Sequence, residues 1–269
     1  VPVHFAGMPC DMEKIKAIAS DHHLLVIEDA CHAIGSLQYG KAVGGCEHSR
    51  MAVFSGQPLK TIVMGEGGAV TTNDRNLSDR MARLRNHGMV REKELFADKE
   101  LSLDANGDAN PWAYEMHEPG FNYRASDLQC ALGLSQLEKL DRFVRGRRKL
   151  ADLYDTLLAP LAPVVRAVAR APECEAAWHL YQVLIDFKAA GITRAELMRQ
   201  MREEGIGTQV HYIPVHRQPY YRQRYGETGF LSGAEEFYES CLTIPLFFGL
   251  EESEVRRVVR SLSLLTGRS

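Results

Sequence analysis

Short apolar runs alternate with helical patterns along the first half of the chain. The runs predict buried strands at residues 1–7 (VPVHFAG), 24–30 (LLVIEDA), 51–55 (MAVFS) and 67–73 (GGAVTTN). Apolar residues spaced three and four apart predict amphipathic helices at residues 10–22 and 74–88. Because strands and helices alternate, we predict an α/β sheet with helices packed on its faces.

The pattern changes after residue 89. Residues 90–122 are polar and irregular, which predicts a long loop of the kind that carries function. Residues 126–144 begin with a capping box, Ser126 and Gln129, and predict one long helix. After a proline-rich break, the predicted elements are a strand at 179–187, a helix from the capping box Thr193/Glu196, a strand at 208–214, a helix from the capping box Ser232/Glu235 and a helix at 251–265.

These patterns predict two domains. The large α/β domain takes residues 1–145, and a small α+β domain takes residues 146–269. We place the boundary inside the predicted long helix.

Composition narrows the classes of function. The chain has 269 residues, of which 45% are hydrophobic and 25% charged, and its formal net charge is −3. That charge argues against a nucleic-acid partner, and the basic residues at 142–150 are expected to form a solvated helix face. No apolar run is long enough to cross a bilayer. Six cysteines without motif spacing predict reduced thiols and a cytoplasmic protein.

Three polar residues follow the predicted strands of the first half. Ligands bind at the carboxyl ends of strands in open α/β sheets. Asp29 ends one predicted strand, Ser55 ends the next, and Lys60 follows before the glycine-rich turn at 65–68. A lysine for a Schiff base, a carboxylate for the pyridinium nitrogen and a hydroxyl for the phosphate are what pyridoxal phosphate (PLP) requires. The alternative is a helix-capping aspartate, a strand-end serine and a solvated lysine, and the spacing alone favours this alternative.

Five segments carry a resemblance to a known family. They are residues 26–35 (VIEDACHAIG), 53–74 (VFSGQPLKTIVMGEGGAVTTND), 84–88 (LRNHG), 120–137 (GFNYRASDLQCALGLSQL) and 210–221 (VHYIPVHRQPYY). Together they resemble the DegT/DnrJ/EryC1/StrS sugar aminotransferases, which are PLP enzymes of the aspartate aminotransferase fold (fold type I). The resemblance implies this α/β fold for the large domain, beside the small α+β domain.

The resemblance also implies roles for individual residues in cofactor binding. Lys60 would be the Schiff-base lysine and Asp29 the partner of the pyridinium nitrogen. His32 would lie beside the cofactor ring, and Ser55 would bind the phosphate. Asn122 would reach the phosphate of the neighbouring subunit, which implies a homodimer with shared active sites.

Three further residues are expected to bind substrate. His211, Tyr212 and His216 lie in a stretch that faces the active site in the family.

Simpler roles remain open for several residues. His32 could pack at the start of a helix, Asn122 could stabilise a turn, and His211 and Tyr212 could be ordinary strand residues.

The implied reaction is a transamination. An amino group would pass from an amino acid donor, glutamate, to C4 of a UDP-linked 4-keto-6-deoxy sugar, with Lys60 moving the proton. Segments 110–115 (NPWAYE) and 210–222 most resemble the branch of the family that acts in pseudaminic acid biosynthesis. A related branch carries histidine in place of this lysine and catalyses dehydration, so Lys60 favours transamination.

The chain departs from the family pattern in two places. The family usually has Ser-Phe-His before the lysine, whereas this chain has Ser55, Gly56 and Gln57, and Val63-Met64 replaces a threonine pair. We expect Gly56 to loosen this segment. The family also carries an N-terminal segment with a phosphate-binding turn, and this sequence contains no match to that segment. We therefore expect a truncated large domain, and the alternative function is an inactive fragment that at most dimerises.

A zinc site is another alternative. Cys31, His32, Cys46 and His48 lie close together in the sequence, but their spacing fits no structural zinc pattern. We therefore predict that the protein has no metal site.

Overall fold

The computed structural model describes residues 1–226 and 231–268. In these residues the strands are β1 (Ile27–Asp29), β2 (Leu37–Gln38), β3 (Lys41–Ala42), β4 (Met51–Ser55), β5 (Gly68–Thr71), β6 (Met89–Val90), β7 (Glu115–Met116), β8 (Val165–Ala167), β9 (Cys174–Glu175), β10 (Tyr181–Ile185) and β11 (Cys241–Ile244). The helices are α1 (Met12–Asp21), α2 (Arg75–Leu84), α3 (Lys99–Ser102), α4 (Asp127–Leu137), α5 (Leu140–Leu158), α6 (Phe187–Ala190), α7 (Arg194–Glu203), α8 (Pro219–Tyr225), α9 (Ser232–Ser240) and α10 (Glu252–Leu265).

The first sheet has the order β1-β4-β5. Strands β1 and β4 are parallel, with Asp29 opposite Val53, and β5 is antiparallel to β4. The strand predicted at residues 1–7 is wrong apart from a single bridge between Val3 and Asp29. It ends there because the backbone turns at Ala6, whose φ is 58°, into a 3-10 turn. The prediction for β4 is confirmed, whereas β1 is shorter than predicted.

A buried hydrogen-bond network joins Glu28 of β1 to neighbouring residues. His4 is fully buried, and its Nε2 donates to the Glu28 carboxylate at 2.7 Å while its Nδ1 accepts from the Cys10 amide at 3.0 Å. Burial alone would raise the pKa of Glu28, but hydrogen bonds from His4 and Ser49 outweigh it and lower that pKa. The network leaves a charged carboxylate with partners on both oxygens, as burial of a carboxylate requires.

The predicted long helix is two helices. Its start is confirmed, because Ser126 and Gln129 form the capping box at the beginning of α4. Helix α4 ends at Leu137, and α5 begins at Leu140. The two helices serve different surfaces, since α4 packs on the glycine-rich turn through Gln129 while α5 buries its apolar face in the second half of the chain.

The second half forms an antiparallel sheet in the order β11-β10-β8. Helices α5 and α10 pack together beside it, and the main hydrophobic core lies between these elements and α7. This arrangement is the predicted α+β type. The strand predicted at 208–214 is wrong apart from a bridge between Gln209 and Thr243. The domain boundary near residue 145 stays a prediction.

Helix α9 begins at Ser232, as predicted, but without the predicted capping box. Ser232 is the first helical residue rather than the cap. The Glu235 carboxylate instead accepts hydrogen bonds from His216 at 2.6 Å and from Arg217 at 2.9 Å. The Glu235 carboxylate is only 5% exposed, and the charged guanidinium of Arg217 stabilises it more than the backbone amide of a cap would.

Candidate active site

The carboxyl ends of β1 and β4 bring Asp29 and Ser55 to the same edge of the sheet. The two strands are parallel and adjacent, with Asp29 opposite Val53, and Ser55 lies two residues further along. One carboxylate oxygen of Asp29 accepts from the amide of Cys31 at 3.1 Å. This bond directs the carboxyl group of Asp29 towards the turn that follows its strand.

Lys60 lies on a loop that is closed at its base. Its backbone amide donates to the carbonyl of Gln57 at 3.0 Å. At the base, the amide of Met64 donates to the carbonyl of Gly56 at 2.8 Å, and the amide of Gly56 donates to the carbonyl of Gly67 at 2.8 Å. Lys60 is therefore held on a hydrogen-bonded loop, and its side chain is half-buried.

Two imidazoles lie together beside this lysine. The rings of His32 and His179 are 4.3 Å apart between centroids. Burial lowers the pKa of His32 to about 4, and the positive charge of Lys60 adds to the effect while Asp29 opposes it. Burial likewise lowers the pKa of His179 to about 3, with further contributions from His32 and Lys60. Both imidazoles are neutral at pH 7.

Several aromatic rings pack next to the imidazole pair. The Phe5 ring is 6.0 Å from the rings of His32, Tyr212 and Phe237. His211 stacks edge-on to Tyr212, and its Nδ1 is 2.8 Å from the Thr243 hydroxyl. These contacts place the 211–212 segment, which is predicted to bind substrate, near His32.

The structure brings some of the predicted site residues together and leaves others apart. Lys60, Asp29 and His211 all lie close enough to His32 to act on its pKa, and Tyr212 is linked to His32 through the ring of Phe5. Ser55 lies on the same sheet edge. The roles of these residues stay predictions.

Two predicted residues lie outside this group. Asn122 is exposed and forms a bridge with Asn86. His216 is engaged by Glu235 through its Nε2, which leaves only its other ring nitrogen for a ligand. Asn122 is predicted to bind the cofactor of a neighbouring subunit, and His216 is predicted to bind the substrate. Contacts within one chain do not test either role, so both stay predictions.

Neither His179 nor Arg147, which holds the backbone of His179, was predicted from the sequence as a site residue. The signal was a histidine directly before the strongest strand pattern of the second half, at the start of residues 179–187. The guanidinium of Arg147 donates to the carbonyls of Trp178, His179 and Leu246 at 3.1, 3.2 and 3.1 Å. Arg147 is buried, and these three carbonyls all accept from its Nη1, so the bonds fix the backbone of His179.

The residues present fit pyridoxal phosphate. The Nδ1 atoms of His32 and His179 are buried and lack hydrogen-bond partners in the part of the chain that the structure describes. Buried polar atoms normally have partners, so these two nitrogens are free to bond a polar group of a bound molecule. An amine (Lys60), a carboxylate (Asp29) and a hydroxyl (Ser55) at one sheet edge are the groups this cofactor requires.

A metal centre has no support. Within residues 1–226 and 231–268, no group of three or more histidine, cysteine, aspartate or glutamate side chains could hold a metal ion. Cys46, one of the residues of the zinc alternative, instead contacts the carbonyls of Gly44 and Thr71.

Within residues 1–226 and 231–268, no helix is long and apolar enough to cross a membrane.

The fold defines a class of protein, the PLP-dependent transferases of fold type I, which its structural neighbours share. Residues 1–263 match the DegT/DnrJ/EryC1/StrS aminotransferase family, and the chain belongs to that family. Its members depend on PLP. The resemblance and the fold class predicted from the sequence are thereby confirmed.

Individual relatives support the assignment. The spore coat polysaccharide biosynthesis protein SpsC of Bacillus subtilis is 35% identical over 265 residues, which is 97% of this chain and 65% of SpsC. Among solved structures, Helicobacter pylori PseC, an aminotransferase involved in the biosynthesis of pseudaminic acid, superposes with a TM-score of 0.86 at 29% identity, over 98% of this chain and 66% of PseC. DesV of S. venezuelae, solved in complex with a ketimine intermediate, gives a TM-score of 0.80 at 30% identity, over 99% of this chain and 64% of DesV. The chain thus spans about two thirds of the length of these relatives.

Proposed function

We propose that the protein is a PLP-dependent aminotransferase that acts on a nucleotide-linked keto-sugar. One observation carries the proposal. Lys60 and Asp29 both act on the pKa of His32, and Asp29 ends a strand of a parallel pair, in a chain that belongs to an aminotransferase family. This is where α/β proteins bind their ligands.

Each residue of the group has a task towards the cofactor. When bound, PLP supplies an aldehyde that takes up an amine and a ring that withdraws electrons. The Lys60 amine would hold the cofactor, and its Nζ would move the proton during the reaction. The Asp29 carboxylate would pair with the ring nitrogen, the Ser55 hydroxyl would bind the phosphate, and His32 would lie beside the ring. A neutral His32 presents no positive charge that would compete with the protonated ring for Asp29.

The proposed substrates are glutamate, as amino donor, and a UDP-linked 4-keto-6-deoxy sugar that is aminated at C4, as in pseudaminic acid biosynthesis. The resemblance of segments 110–115 and 210–222 supports this choice, as does the structural similarity to PseC. His211 and Tyr212 are the proposed substrate contacts, because they lie across from His32. His216 is a further proposed contact, at the end of the same segment.

The proposed assembly is a cytoplasmic homodimer with shared active sites. Asn122 is exposed, as a residue that reaches into a neighbouring subunit must be. Around it the surface is apolar, with Phe121 59%, Tyr123 73% and Leu128 84% exposed. A cluster of large exposed apolar residues of this kind is typical of an interface between chains.

Cofactor trapping tests the proposal. The purified full chain is mixed with PLP, its visible absorption is recorded, and the sample is reduced with borohydride and mapped by peptide mass spectrometry. We expect a yellow species and a label confined to Lys60. The Lys60→Ala variant should lose both, and the matched control Lys16→Ala, at an exposed lysine of α1, should keep both.

The outcomes separate the two functions considered for this chain. Label on Lys60 calls for assays with glutamate and UDP- or dTDP-linked keto-sugars, and turnover that prefers the dTDP sugar would contradict the proposed substrate. No absorption band, or label spread over many lysines, would contradict the aminotransferase proposal. The inactive fragment would then be the better description.

A further inference from the structure

The base of the Lys60 loop is packed around one side chain. We call Gly56, Met64 and Gly67 the neck of the loop, because two backbone hydrogen bonds of 2.8 Å join them and Lys60 lies between. A Cβ added at Gly56 would lie 2.5 Å from Cγ and 2.8 Å from Sδ of Met64. A Cβ at Gly67 would lie 2.9 Å from both Cε and Sδ. The methionine therefore occupies the space that side chains at both glycines would need.

Helix α4 covers the neck from outside. A Cβ at Gly133 would lie 3.2 Å from Cβ of Met64, which is close contact. One turn earlier in α4, the side-chain amide of Gln129 donates to the carbonyl of Glu66 at 2.7 Å. The other end of that amide accepts from Ser126 in the capping box. The start of α4 and the neck are therefore one packed unit.

The side chain of Met64 fills the space beside Gly56, which was expected from the sequence to loosen this segment. Gly56 is buried, and the thioether chain lies where a side chain at Gly56 would otherwise be. Methionine is suited to this role because its unbranched, polarisable chain adapts to irregular gaps. The glycine and the methionine are complementary in volume.

We infer that Met64 is a positioning residue whose side chain keeps the neck closed and thereby holds Lys60 at the carboxyl edge of the sheet. The inference rests on the proposed function, since it concerns how the lysine is presented to PLP. Met64 itself acts through packing and touches neither cofactor nor substrate in this role.

Double-variant analysis of the full chain tests the inference. PLP affinity is measured by titration of the visible band, borohydride labelling of Lys60 gives a second readout, and thermal unfolding gives a third. Gly56→Ala should weaken PLP binding about tenfold, because the new methyl group overlaps the thioether. Met64→Ala should weaken it about threefold, because the neck loses its filling.

The combination distinguishes packing from independent effects. Gly56→Ala/Met64→Ala should bind PLP no more weakly than Met64→Ala alone, because the overlap has been removed. The matched control is Gly233→Ala, where an added Cβ meets nothing within 4 Å and PLP affinity should not change. Losses that simply multiply, to about thirtyfold in the double variant, would overturn the inference.

Failure of the proposed function looks different. If the unaltered chain gives no label on Lys60, the cofactor role fails for every variant, and the positioning role fails with it. If the unaltered chain is labelled and only the double-variant pattern is absent, the proposed function stands and the role of Met64 is refuted.

Discussion

Acidification should destabilise this protein through the imidazole pair in its candidate site. In the unfolded chain His32 and His179 have the ordinary pKa of 6.5, whereas in the folded chain these pKa values are about 4 and about 3. Below pH 6.5 the unfolded state therefore binds protons that the folded state does not. Stability rises with pH where the unfolded state binds more protons, so it must fall as the pH drops from 6.5 towards 4 and 3.

The magnitude follows from these pKa values. Between pH 7 and pH 5 a buried histidine with such a shift contributes a loss of about 2 kcal/mol, and we assign this value to His179, which is 9% exposed. For the more exposed His32 we take about 1 kcal/mol, since solvent screens part of the effect. The two histidines together lose about 3 kcal/mol. His4 offsets about 1 kcal/mol of this loss. Burial lowers the pKa of His4, but hydrogen bonds with Cys10 and Glu28 outweigh it and raise that pKa to about 9, so the folded state already holds this proton at pH 7. The net loss is about 2 kcal/mol, a large part of the stability of a typical domain. Glu28 does not contribute in this range, because its lowered pKa starts from 4.5 and acts only at lower pH.

Urea unfolding at pH 7 and pH 5 measures this loss. Trp178 is 6% exposed and adjoins His179, so its fluorescence reports on unfolding of this region. The variant His32→Gln/His179→Gln removes both titrating groups and should lose most of the pH dependence. The reasoning is refuted if this variant keeps the full loss, or if the unaltered chain loses less than about 1 kcal/mol.

Three further predictions concern stability and binding. Arg147→Met should lower the free energy of unfolding by about 3 kcal/mol, because three buried carbonyls lose their donor; a loss below about 1 kcal/mol in urea unfolding would contradict this. Tyr154→Phe should cost about 1 kcal/mol through the lost 2.8 Å bond to the Pro245 carbonyl, and an unchanged urea midpoint would contradict it. Glu235→Gln should raise the KM for the keto-sugar several-fold while PLP titration stays unchanged, because the carboxylate holds the segment that follows Tyr212; weakened PLP binding would show instead that Glu235 supports the whole site.

Local patterns were sufficient for much of the fold. The apolar run at 51–55 and the capping box at the start of α4 were predicted correctly, because each depends on residues within one turn or one strand. The strands predicted at 1–7 and 208–214 were wrong, since each has only one bridge partner in the fold and its backbone then turns away. A strand needs a neighbour along its length, and no local pattern reveals where that neighbour ends.

The same division holds for the candidate site. By itself the sequence determined the family and the chemical groups that follow two of the strands, because Asp29, Ser55 and Lys60 occupy motif positions along one stretch of chain. Only the tertiary structure decided that His179, about 150 residues from Asp29, stacks on His32, and that one methionine fills the neck of the lysine loop. The reason is physical: burial, pKa shifts and packing depend on distances through space, which the order of residues does not state.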